Sequence, residues 1–578
     1  MQTGAPNLIS VDEGAWPLNR FYWWERERAN RPFLTQPLHG SVREWTWAQA
    51  GDEVRRIAAY LKARNWEPGT HIAILSKNCA WWIMADLAIW MAGHVTVPVY
   101  ASFRAATVRE ILEHSESKAC CVGLTDERSL PGIPAGVERI RFPTFPDGPG
   151  LGWEDILATT SPLEGEPARP AADLATIFYT SGTSGAPKGV MHNFAALAFL
   201  AQALARRLPS SGEHRAISYL PLGHVFERGA LEIPALVLGW HIFFSEGVET
   251  FLGDLRRARP TVFLAVPRVL MKLREGVLAR ISERKLGWLF HVPLAGRLVR
   301  KRVLRELGLD AVEVAACGGA ALEPGILLWY RKLGLNLLEG FGLTEGMITH
   351  LSKPGSLRPG YIGTALDGVE AKRAPNGEFL LKSPMNMLGY YKDPQGTRDA
   401  FTPDGFLRTG DLIEMAPDGQ VRIIGRIKEQ FKTSKGEYVT PAPIEAKLLA
   451  HNDVESCCLM GAGQPHPFAV VVLQAEARRR SADPAARKAL EDSLLATLDE
   501  VNAQLEHHER LAFLVIAESP WTVANGLLTP TMKLRRAALE ALYAPHVDEW
   551  RARNQRIIWQ KEEQPGAGSP RSPFGRQS

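Results

Sequence analysis

Short apolar runs rich in Val, Ile and Ala alternate with longer segments of helical periodicity over roughly the first 420 residues. The runs are apolar at consecutive positions instead of at every second position, which is typical of strands buried on both faces. They span residues 71–75, 95–100, 174–179, 216–220, 261–266 and 312–316. Because strands that alternate with helices build parallel sheets, we predict an α/β fold whose large N-terminal domain contains parallel-rich sheets with helices.

The pattern changes within residues 405–426, G-F-L-R-T-G-D-L-I-E-M-A-P-D-G-Q-V-R-I-I-G-R. Two strand patterns flank a Pro-Asp-Gly turn there, which predicts a hairpin. A smaller α+β pattern continues to about residue 557, and the residues beyond it are rich in Pro, Gly, Ser and Arg, as disordered segments are. We therefore predict an N-terminal domain at residues 1–426, a small C-terminal α+β domain at 427–557 and a disordered tail at 558–578.

The composition is that of a soluble globular protein. The 578 residues are 45% hydrophobic and 22% charged, enough for a sizeable core and more than one domain. Lys and Arg number 67 against 63 Asp and Glu, which leaves a net charge of +4. Because so small a charge creates no field over the whole molecule, we expect no nucleic-acid partner.

Cysteine usage and apolar segments indicate the compartment. The six cysteines show neither a Cys-x-x-Cys motif nor a Cys/His metal spacing, so we expect reduced thiols. The N-terminus lacks the basic and apolar regions of a signal peptide. The most apolar stretch, A-W-W-I-M-A-D-L-A-I-W-M-A-G, is interrupted by Asp86 and is too short to span a bilayer. We expect a cytoplasmic protein without a transmembrane helix.

A loop rich in glycine and hydroxyl groups, Y-T-S-G-T-S-G-A-P-K-G-V, covers residues 179–190. A strand that stops at such a loop and restarts as a helix directs backbone N–H groups at an anion, and Lys188 adds a point charge. It differs from the P-loop of ordinary NTPases, because Lys188 stands between Pro187 and Gly189 instead of before Ser or Thr. The stretch predicts a phosphate-binding loop whose hydroxyl donors are Thr180, Ser181, Thr183 and Ser184.

With this loop the sequence resembles the adenylate-forming superfamily, which includes acyl-CoA synthetases, luciferases and the adenylation domains of peptide synthetases. Further matches follow in the family's order over roughly residues 15–555. They are S-Y-L-P-L-G-H-V-F-E-R (218–228), C-G-G-A-A-L (317–322), F-G-L-T-E (341–345), R-T-G-D (408–411), G-R-I-K-E (425–429) and N-G-L-L-T-P-T-M-K-L-R-R (525–536).

The resemblance implies a role for each matching position. Lys533 would be the catalytic lysine, assisted by Lys188 and by Thr344 on phosphate, while Glu345 would hold Mg²⁺. Lys428 would be the hinge of a mobile C-terminal domain. The acyl pocket would include His224 and Gly318. In the nucleotide site, Phe341 would form a wall of the adenine pocket and Asp411 would accept from the ribose hydroxyls. The implied nucleotide site comprises Thr180, Ser181, Gly182, Thr183, Ser184, Gly185, Gly319, Ala320, Gly340, Phe341, Gly342, Asp411 and Arg426.

The chemistry that the resemblance implies has two half-reactions, with ATP and CoA as substrates and Mg²⁺ as cofactor. A carboxylate is a poor electrophile, so the acid first attacks the α-phosphate of ATP and expels pyrophosphate. The small domain then rotates about the hinge, and the thiol of CoA displaces AMP. K-G-E-Y-V, residues 435–439, would then lie near the thiol channel.

The motifs look most like those of bacterial long-chain fatty acyl-CoA synthetases, including A-V-P-R-V-L at residues 265–270 and the pair Thr531 and Met532. Three positions depart from the pattern: Gly223, Phe341 and Cys317. Medium-chain or unusual acids therefore stay open as substrates. Three different functions also stay open: a fatty acyl-AMP ligase that loads an acyl carrier protein, a nucleotide-binding regulator without catalysis, and a luciferase-like oxygenase.

A basic amphipathic stretch spans residues 278–307. It has two interpretations: a weak peripheral contact with an anionic membrane, where fatty acids partition, or a pair of solvated helices whose Lys and Arg stems cover the core. The sequence favours the solvated pair. Its basic residues are Arg280, Arg284, Lys285, Arg297, Arg300, Lys301, Arg302 and Arg305.

Overall fold

The structure is a computed structural model that describes residues 16–38, 40–181, 187–208, 213–292, 295–320, 322–529 and 533–561. The chain divides into two compact units, the first ending at Ile423 and the second beginning at Ile424. The predicted disordered tail lies outside the described residues from 562 onward. Within the described parts of the chain, no helix is long and apolar enough to cross a bilayer.

The strands of the first unit are β1 (Pro32–Leu38), β2 (Ser41–Thr46), β3 (His71–Leu75), β4 (Val95–Val99), β5 (Ala119–Val122), β6 (Glu138–Arg141), β7 (Leu151–Gly152), β8 (Leu174–Ser181), β9 (Pro187–Asn193), β10 (Arg215–Ser218), β11 (His241–Phe244), β12 (Val262–Ala265), β13 (Val314–Cys317), β14 (Leu337–Leu343), β15 (Met347–Leu351), β16 (Thr364–Ala365), β17 (Glu370–Arg373), β18 (Glu378–Lys382), β19 (Gly389–Tyr390), β20 (Leu407–Met415) and β21 (Val421–Arg426). Strand β21 begins in the first unit and continues past Ile423, where that unit ends.

Its helices are α1 (Pro17–Glu27), α2 (Trp47–Lys62), α3 (Ala80–Met91), α4 (Ala105–His114), α5 (Trp153–Thr159), α6 (Phe194–Arg207), α7 (Val225–Glu227), α8 (Ile233–Leu238), α9 (Phe251–Ala258), α10 (Pro267–Leu278), α11 (Glu283–His291), α12 (Ala295–Glu306), α13 (Pro324–Leu333) and α14 (Pro394–Ala400).

Two large sheets dominate the first unit. One has the order β16-β15-β14-β13-β12-β10-β11-β1-β2, and its central strands β14 to β1 all pair in parallel. The other has the order β19-β9-β8-β4-β3-β5-β6-β7 and is parallel from β8 to β7. All six runs predicted as strands are strands with ends within two residues of the predicted ones. The predicted α/β fold with parallel-rich sheets is therefore confirmed.

Helix α3 explains why the most apolar stretch of the chain is not a membrane span. All of its 12 residues are buried. It contacts β1 of one sheet and β3 and β4 of the other, so it is a core helix between the two sheets. Such a helix is apolar all round because both of its sides face protein. Asp86, which interrupts the stretch, is buried within this core.

A smaller sheet of order β17-β18-β20-β21 contains the predicted hairpin. Its strands β20 and β21 flank the Pro-Asp-Gly turn, and Gly419 has a φ of 79°, a conformation that glycine adopts without strain. The hairpin prediction is therefore confirmed.

The second unit is α+β. Its elements are β22 (Phe431–Lys432), β23 (Tyr438–Val439), α15 (Pro441–Leu448), β24 (Val454–Met460), β25 (Phe468–Leu473), α16 (Ala475–Arg480), α17 (Pro484–Asn502), β26 (Leu514–Ile516), α18 (Arg536–Tyr543), α19 (Val547–Ala552) and β27 (Ile557–Trp559). The sheet β24-β25-β26-β27 is mixed, and helices pack on it. Strand β27 continues beyond the predicted boundary at residue 557, because Ile558 is fully buried in the core of this unit.

Candidate active site

The glycine-rich loop joins two antiparallel strands. In the hairpin of β8 and β9, Thr180 lies opposite Lys188 and Ser181 opposite Pro187. The expectation that a helix follows the loop is wrong, because α6 begins only at Phe194. The segment after the loop is a strand since it pairs with β8 on one side and with β19 on the other. The next helix of the chain therefore begins beyond β9 and not at this loop.

The tip of the loop, with Gly182, Thr183, Ser184 and Gly185, lies outside the described residues. At the base of the hairpin, close packing around β9 accounts for the glycine at position 189. A Cβ on Gly189 would come within 2.9 Å of Ile177 and 3.3 Å of Tyr391, so a side chain there would push neighbouring segments away. The base of the hairpin is tightly packed against the segment after β19.

Lys188 lies among groups that the β9–β19 pairing brings to it. Its Nζ is 3.4 Å from Asp393 Oδ2 and 4.6 Å from the centroid of the Tyr390 ring. The Lys188 side chain keeps 35% of its surface exposed. An anion that approaches the loop would therefore meet a partly solvated ammonium group, in competition with Asp393.

Glu345 lies in the tight turn between β14 and β15. Its Oε1 accepts a 2.8 Å hydrogen bond from the Tyr390 hydroxyl. Its backbone carbonyl accepts a hydrogen bond from the N–H of Met387, so the segment that carries Tyr390 is held at this turn at both ends. Tyr390 thus contacts both Lys188 and Glu345, which are far apart in the sequence.

Thr344 is positioned through its backbone. The carbonyl of Thr344 can only accept, so His192 on β9 donates to it from Nε2 at 2.7 Å. Burial lowers the pKa of His192 to about 4, which keeps the imidazole neutral around neutral pH. One strand, β9, therefore carries Lys188 and also fixes the turn that carries Thr344 and Glu345.

The predicted adenine wall is the end of β14. Phe341 is half-buried, and its ring centroid lies 5.6 Å from that of Phe379. A Cβ on Gly342 would lie 2.4 Å from the carbonyl oxygen of Met347, so the hairpin requires glycine there. At Gly340 the nearest atom would be the His350 carbonyl oxygen at 3.2 Å. The two glycines let the backbones of β14 and β15 approach closely beside Phe341.

Gly318, Gly319 and Ala320 follow the carboxyl end of β13, which is the parallel neighbour of β14. Gly319 has a φ of 82° and, like Ala320, is exposed. Gly318 is buried, and a Cβ on it would lie 3.0 Å from the ring of Phe226. Ligands of open α/β sheets bind at such carboxyl ends, so this edge suits a ligand.

The structure brings His224 to the same edge. It is half-buried at the start of α7, and its Nδ1 accepts a hydrogen bond from the N–H of Phe226 at 3.0 Å. The Phe226 ring in turn contacts Gly318. Phe226 therefore contacts both residues predicted for the acyl pocket, His224 through its backbone N–H and Gly318 through its ring.

Asp411 is linked to Phe341 through two intermediate residues, Thr409 and Phe379. Asp411 is 2% exposed, and its N–H donates to Thr409 Oγ1, whose hydroxyl donates to the carbonyl of Phe379. The ring of that same Phe379 packs on Phe341. The predicted ribose residue and adenine wall thus belong to one packed cluster.

Three predicted residues lie in or at the start of the second unit. Arg426 ends β21, and Lys428 follows in a 3₁₀ turn at Ile427–Glu429. Lys533 is exposed, and its N–H donates to Thr529 Oγ1 while its carbonyl accepts from the Thr529 N–H. Residues 530–532, which include Thr531 and Met532, lie outside the described residues.

Comparison with known families identifies the architecture. A family model described as AMP-binding enzyme matches residues 21–391. The chain belongs to the AMP-binding enzyme family. A second model, the AMP-binding enzyme C-terminal domain, matches residues 428–555. The predicted resemblance to adenylate-forming enzymes is therefore confirmed, on matches that include most of both units.

Curated relatives match this AMP-binding enzyme over most of the length of both chains. The chain is 29% identical to the long-chain-fatty-acid–CoA ligase FadD15 of Mycobacterium bovis, over 91% of this chain and 95% of that protein. It is 28% identical to the peroxisomal long chain acyl-CoA synthetase 7 of Arabidopsis thaliana, over 88% of this chain and 82% of that protein.

Solved structures share the fold. The adenylation domain of a carboxylate reductase from Mycobacterium chelonae superimposes with a TM-score of 0.77 at 22% identity, covering 95% of this chain and 92% of that one. The anthranilate CoA ligase AuaEII in complex with anthranoyl-AMP gives a TM-score of 0.73 at 21% identity, covering 91% and 97%. At these identities the likeness shows the fold alone.

Several residues of the site in this AMP-binding enzyme could not be recognised from the sequence. Tyr390 and Asp393 stand in G-Y-Y-K-D-P, directly beside Lys188. Their signal was two adjacent tyrosines before a Lys-Asp-Pro turn, which gives no partner by itself. His192 was also missed, although it lies four residues after Lys188 and is fully buried.

A buried ionic cluster supports the helix after His224. Arg228 is fully buried and donates to Asp86 at 2.5 Å, to Glu232 at 3.1 Å and to Thr176 Oγ1 at 2.6 Å. Burial raises the pKa of both carboxyl groups, while the Arg228 charge opposes that rise. Arg228 to Glu232 form one π-helical turn, a feature often found near functional sites.

Glu227 fastens the same helix to β10. It accepts hydrogen bonds from the Ser218 hydroxyl at 2.8 Å and from the Tyr219 N–H at 3.0 Å. Burial raises its pKa to about 8, so this carboxyl is mostly protonated at neutral pH. The turn that carries His224 is therefore held by two neighbouring buried residues, Glu227 and Arg228.

Glu345 supplies the kind of ligand that a nucleotide-bound Mg²⁺ needs from the protein, a carboxylate. Mg²⁺ is usually bound through one or two carboxylates together with substrate phosphates. Within the part of the chain that the structure describes, no three His, Cys, Asp or Glu side chains form a group that could hold a metal on their own. A single carboxylate beside a phosphate loop is the arrangement expected when the nucleotide supplies the other ligands.

Proposed function

We propose that this AMP-binding enzyme is an AMP-forming fatty acid–CoA ligase. It would join a fatty acid to AMP with release of pyrophosphate and then transfer the acyl group to CoA, with long-chain acids preferred. The observation that carries the proposal is the cluster of Lys188, Tyr390 and Glu345 at the base of the glycine-rich hairpin, in the same unit as Phe341 and Asp411. The names of the curated relatives support a fatty acid as the substrate.

In the first half-reaction the chain would bind ATP through this cluster. Lys188 would exchange Asp393 for the β- and γ-phosphates, because a phosphate carries more charge than one carboxylate. Glu345, held by Tyr390, would orient Mg²⁺, which neutralises phosphate charge when bound. Thr344 would donate to a phosphate oxygen, and Asp411 would accept from the ribose hydroxyls.

Lys533 would supply the cation that this transfer needs at the α-phosphate. Charge builds on the equatorial oxygens of a transferring phosphoryl group, so a positioned ammonium lowers the barrier. An exposed lysine suits this role, because its flexible four-carbon stem can carry the ammonium to a ligand. Rotation at Lys428 would then withdraw it and admit CoA.

The acyl chain would lie beyond His224 and Gly318. A Cβ at position 223 would lie in contact with the Tyr100 ring, at 3.7 Å. Gly223 leaves that space open and would thereby widen the entrance. Each methylene that leaves water contributes about 0.8 kcal/mol, so an apolar tunnel favours long chains. We also propose a cytoplasmic location, which the six buried free thiols fit.

Product analysis tests the proposal. The purified protein is incubated with Mg·ATP, CoA and single acids from acetate to twenty-carbon chains, including aryl acids, and the products are identified by mass spectrometry. We expect acyl-CoA and AMP, with a maximum at long chains. A maximum at medium chains would reject the long-chain preference, and acyl-AMP without acyl-CoA would indicate loading of a carrier protein.

A further inference from the structure

Two consecutive helices, α11 and α12, form a strongly basic part of the first unit that we call the basic helical pair. Residues 278–307 contain eight Lys or Arg and two Glu, so this short segment carries a charge of +6. The whole chain carries only +4, so the rest of the protein is slightly acidic. The net positive charge of this molecule is therefore accounted for by this one segment.

One side of the basic helical pair packs on the protein. Leu286 is buried in a hydrophobic cluster of the first unit that also contains Leu270. Phe290, Val299 and Val303 pack against this cluster. Gly296 lets the two helices touch, since a Cβ there would lie 2.8 Å from the Phe290 carbonyl oxygen. The pair is thus a fixed part of the fold with a defined inner side.

The outer side carries one large exposed apolar residue on each helix. Trp288 is 70% exposed and Leu298 is 69% exposed, more than any other described large apolar side chain except Val248. Trp288 is two positions from the buried Leu286, which places it on the opposite side of α11. Neither side chain contributes to the core, and each would be hydrated in free solution.

Cations surround both apolar residues at helical spacing. Arg284 and Lys285 precede Trp288 by four and three positions, so they share its face. On α12, Lys301, Arg302 and Arg305 follow Leu298 by three, four and seven positions and share its face likewise. The outer side is therefore a surface with two apolar centres enclosed by positive charge.

Several of these cations lack acidic partners. Arg284, Lys285, Arg297 and Lys301 form no ion pair with any described residue, whereas Arg302 pairs with Glu306 at 3.1 Å. A face that served only solubility would place its exposed positions in charged and polar residues. Unpaired cations beside an exposed tryptophan and leucine are instead the composition of a helix that lies in a membrane interface.

We propose that the outer face of the basic helical pair docks on an anionic lipid bilayer. Trp288 and Leu298 would enter the headgroup region, while the cations would contact lipid phosphates. The partner rests on the proposed function, since a fatty acid substrate partitions into bilayers. A nucleic acid fits this face less well, because its phosphates would leave both apolar side chains without a partner.

Flotation with lipid vesicles tests the docking face. The full-length protein is mixed with vesicles of phosphatidylcholine containing about 30 mol% phosphatidylglycerol, or none, and floated through a density gradient. We expect binding to the anionic vesicles only. The variant W288A/L298A should bind about tenfold more weakly, and R297Q/K301Q should lose most of the preference for anionic lipid.

The control variant is Leu328→Ala. Leu328 is 44% exposed on α13, with Arg331 and Lys332 three and four positions later, so it repeats the chemistry outside the basic helical pair. It should float like the wild type. Wild-type protein that stays at the bottom of the gradient, or W288A/L298A that floats as well as wild type, would overturn the proposal, and so would binding to single-stranded DNA that exceeds binding to vesicles.

Activity is measured in the same preparations with palmitate and with a water-soluble acid, octanoate, and scored as AMP release. A protein that forms AMP but does not float rejects the docking face alone. A protein that floats but never forms AMP rejects the proposed function alone and leaves the docking face supported. The two proposals therefore fail separately.

Discussion

The hydroxyl of Tyr390 donates a 2.8 Å hydrogen bond to Oε1 of Glu345. The same ring lies 4.6 Å from the ammonium of Lys188, so one side chain touches both the candidate metal carboxylate and the candidate phosphate lysine. Tyr390 itself is fixed by pairing of β19 with β9 and by a hydrogen bond from its N–H to Thr397 Oγ1. It is therefore suited to position the two groups relative to each other.

Tyr390→Phe should weaken the use of Mg·ATP. Removing the hydroxyl leaves Glu345 without this donor but keeps the ring beside Lys188, so we expect kcat/KM for Mg·ATP to fall about tenfold and the half-saturating Mg²⁺ concentration to rise. Tyr391→Phe is the matched control, because the Tyr391 hydroxyl donates to Glu116, away from the site. Equal effects of both substitutions on the Mg²⁺ dependence would contradict the positioning role.

Lys533→Ala should abolish adenylation by a factor of roughly 10² to 10³ or more, which is the scale for loss of a transition-state donor. Pyrophosphate release in the absence of CoA measures this half-reaction. Lys488→Ala is the control, since Lys488 is an exposed lysine of the same unit that pairs with Asp492. Near-normal pyrophosphate release by Lys533→Ala would remove this lysine from the mechanism.

Lys428→Pro should slow thioester formation while leaving adenylation intact. Proline fixes φ and so hinders a rotation that passes through this residue. Lys428→Ala removes the same side chain without fixing φ and should retain both half-reactions. The two steps are separated by measuring pyrophosphate release and acyl-CoA formation on the same sample. If proline slowed both steps equally, the pivot would lie elsewhere.

Arg228→Met should destabilise the first unit by about 3 kcal/mol or more, because it leaves Asp86 and Glu232 buried without a cation. The urea midpoint of unfolding reports the change. Arg302→Met is the comparison, since Arg302 is 81% exposed and should alter stability by at most about 0.5 kcal/mol. Removing one partner of a buried ion pair typically lowers the free energy of unfolding by about 3 to 5 kcal/mol. A decrease of less than about 1 kcal/mol for Arg228→Met would therefore mean that the buried cluster does not support this helix.

Glu227 predicts a pH dependence of stability with a definite sign. Its pKa rises from 4.5 to about 8 on folding because the carboxyl is buried. Between pH 4.5 and about 8 the folded state binds more protons than the unfolded state. The contribution of the protonated Glu227 to stability is therefore complete below pH 4.5 and is lost as the pH rises through about 8. Urea midpoints of wild type should therefore fall over this range more steeply than those of Glu227→Gln, and parallel curves would contradict the assignment.

The sequence predicts this fold well where burial alone decides the structure. The runs at residues 71–75 and 95–100 are mostly apolar, without alternation, because β3 and β4 are buried along most of their length, and strands covered on both faces show that pattern. The strand after the phosphate loop could not be predicted in this way. Whether Lys188 to Asn193 forms a strand or a helix depends on pairing with β8 and with β19, which lies far along the chain.

The same limit applies to the site. Motif positions such as Glu345 and Asp411 stand out in the sequence because the family resemblance marks them. Tyr390 does not, since its role comes from contacts with Lys188 and Glu345 that only the fold creates. Asp86 marks a break in an apolar stretch, but its charge is explained only by Arg228, which lies 142 positions later.

The decisive measurement is the order of the two half-reactions in a single turnover. Enzyme in excess is mixed with Mg·ATP and palmitate without CoA, quenched, and assayed for acyl-AMP, and a second sample is chased with CoA before the quench. We expect acyl-AMP and an equal amount of pyrophosphate in the first sample, and conversion of the acyl-AMP to acyl-CoA and AMP in the second. Release of ADP, or no acyl-AMP with any acid tested, would contradict the proposed function.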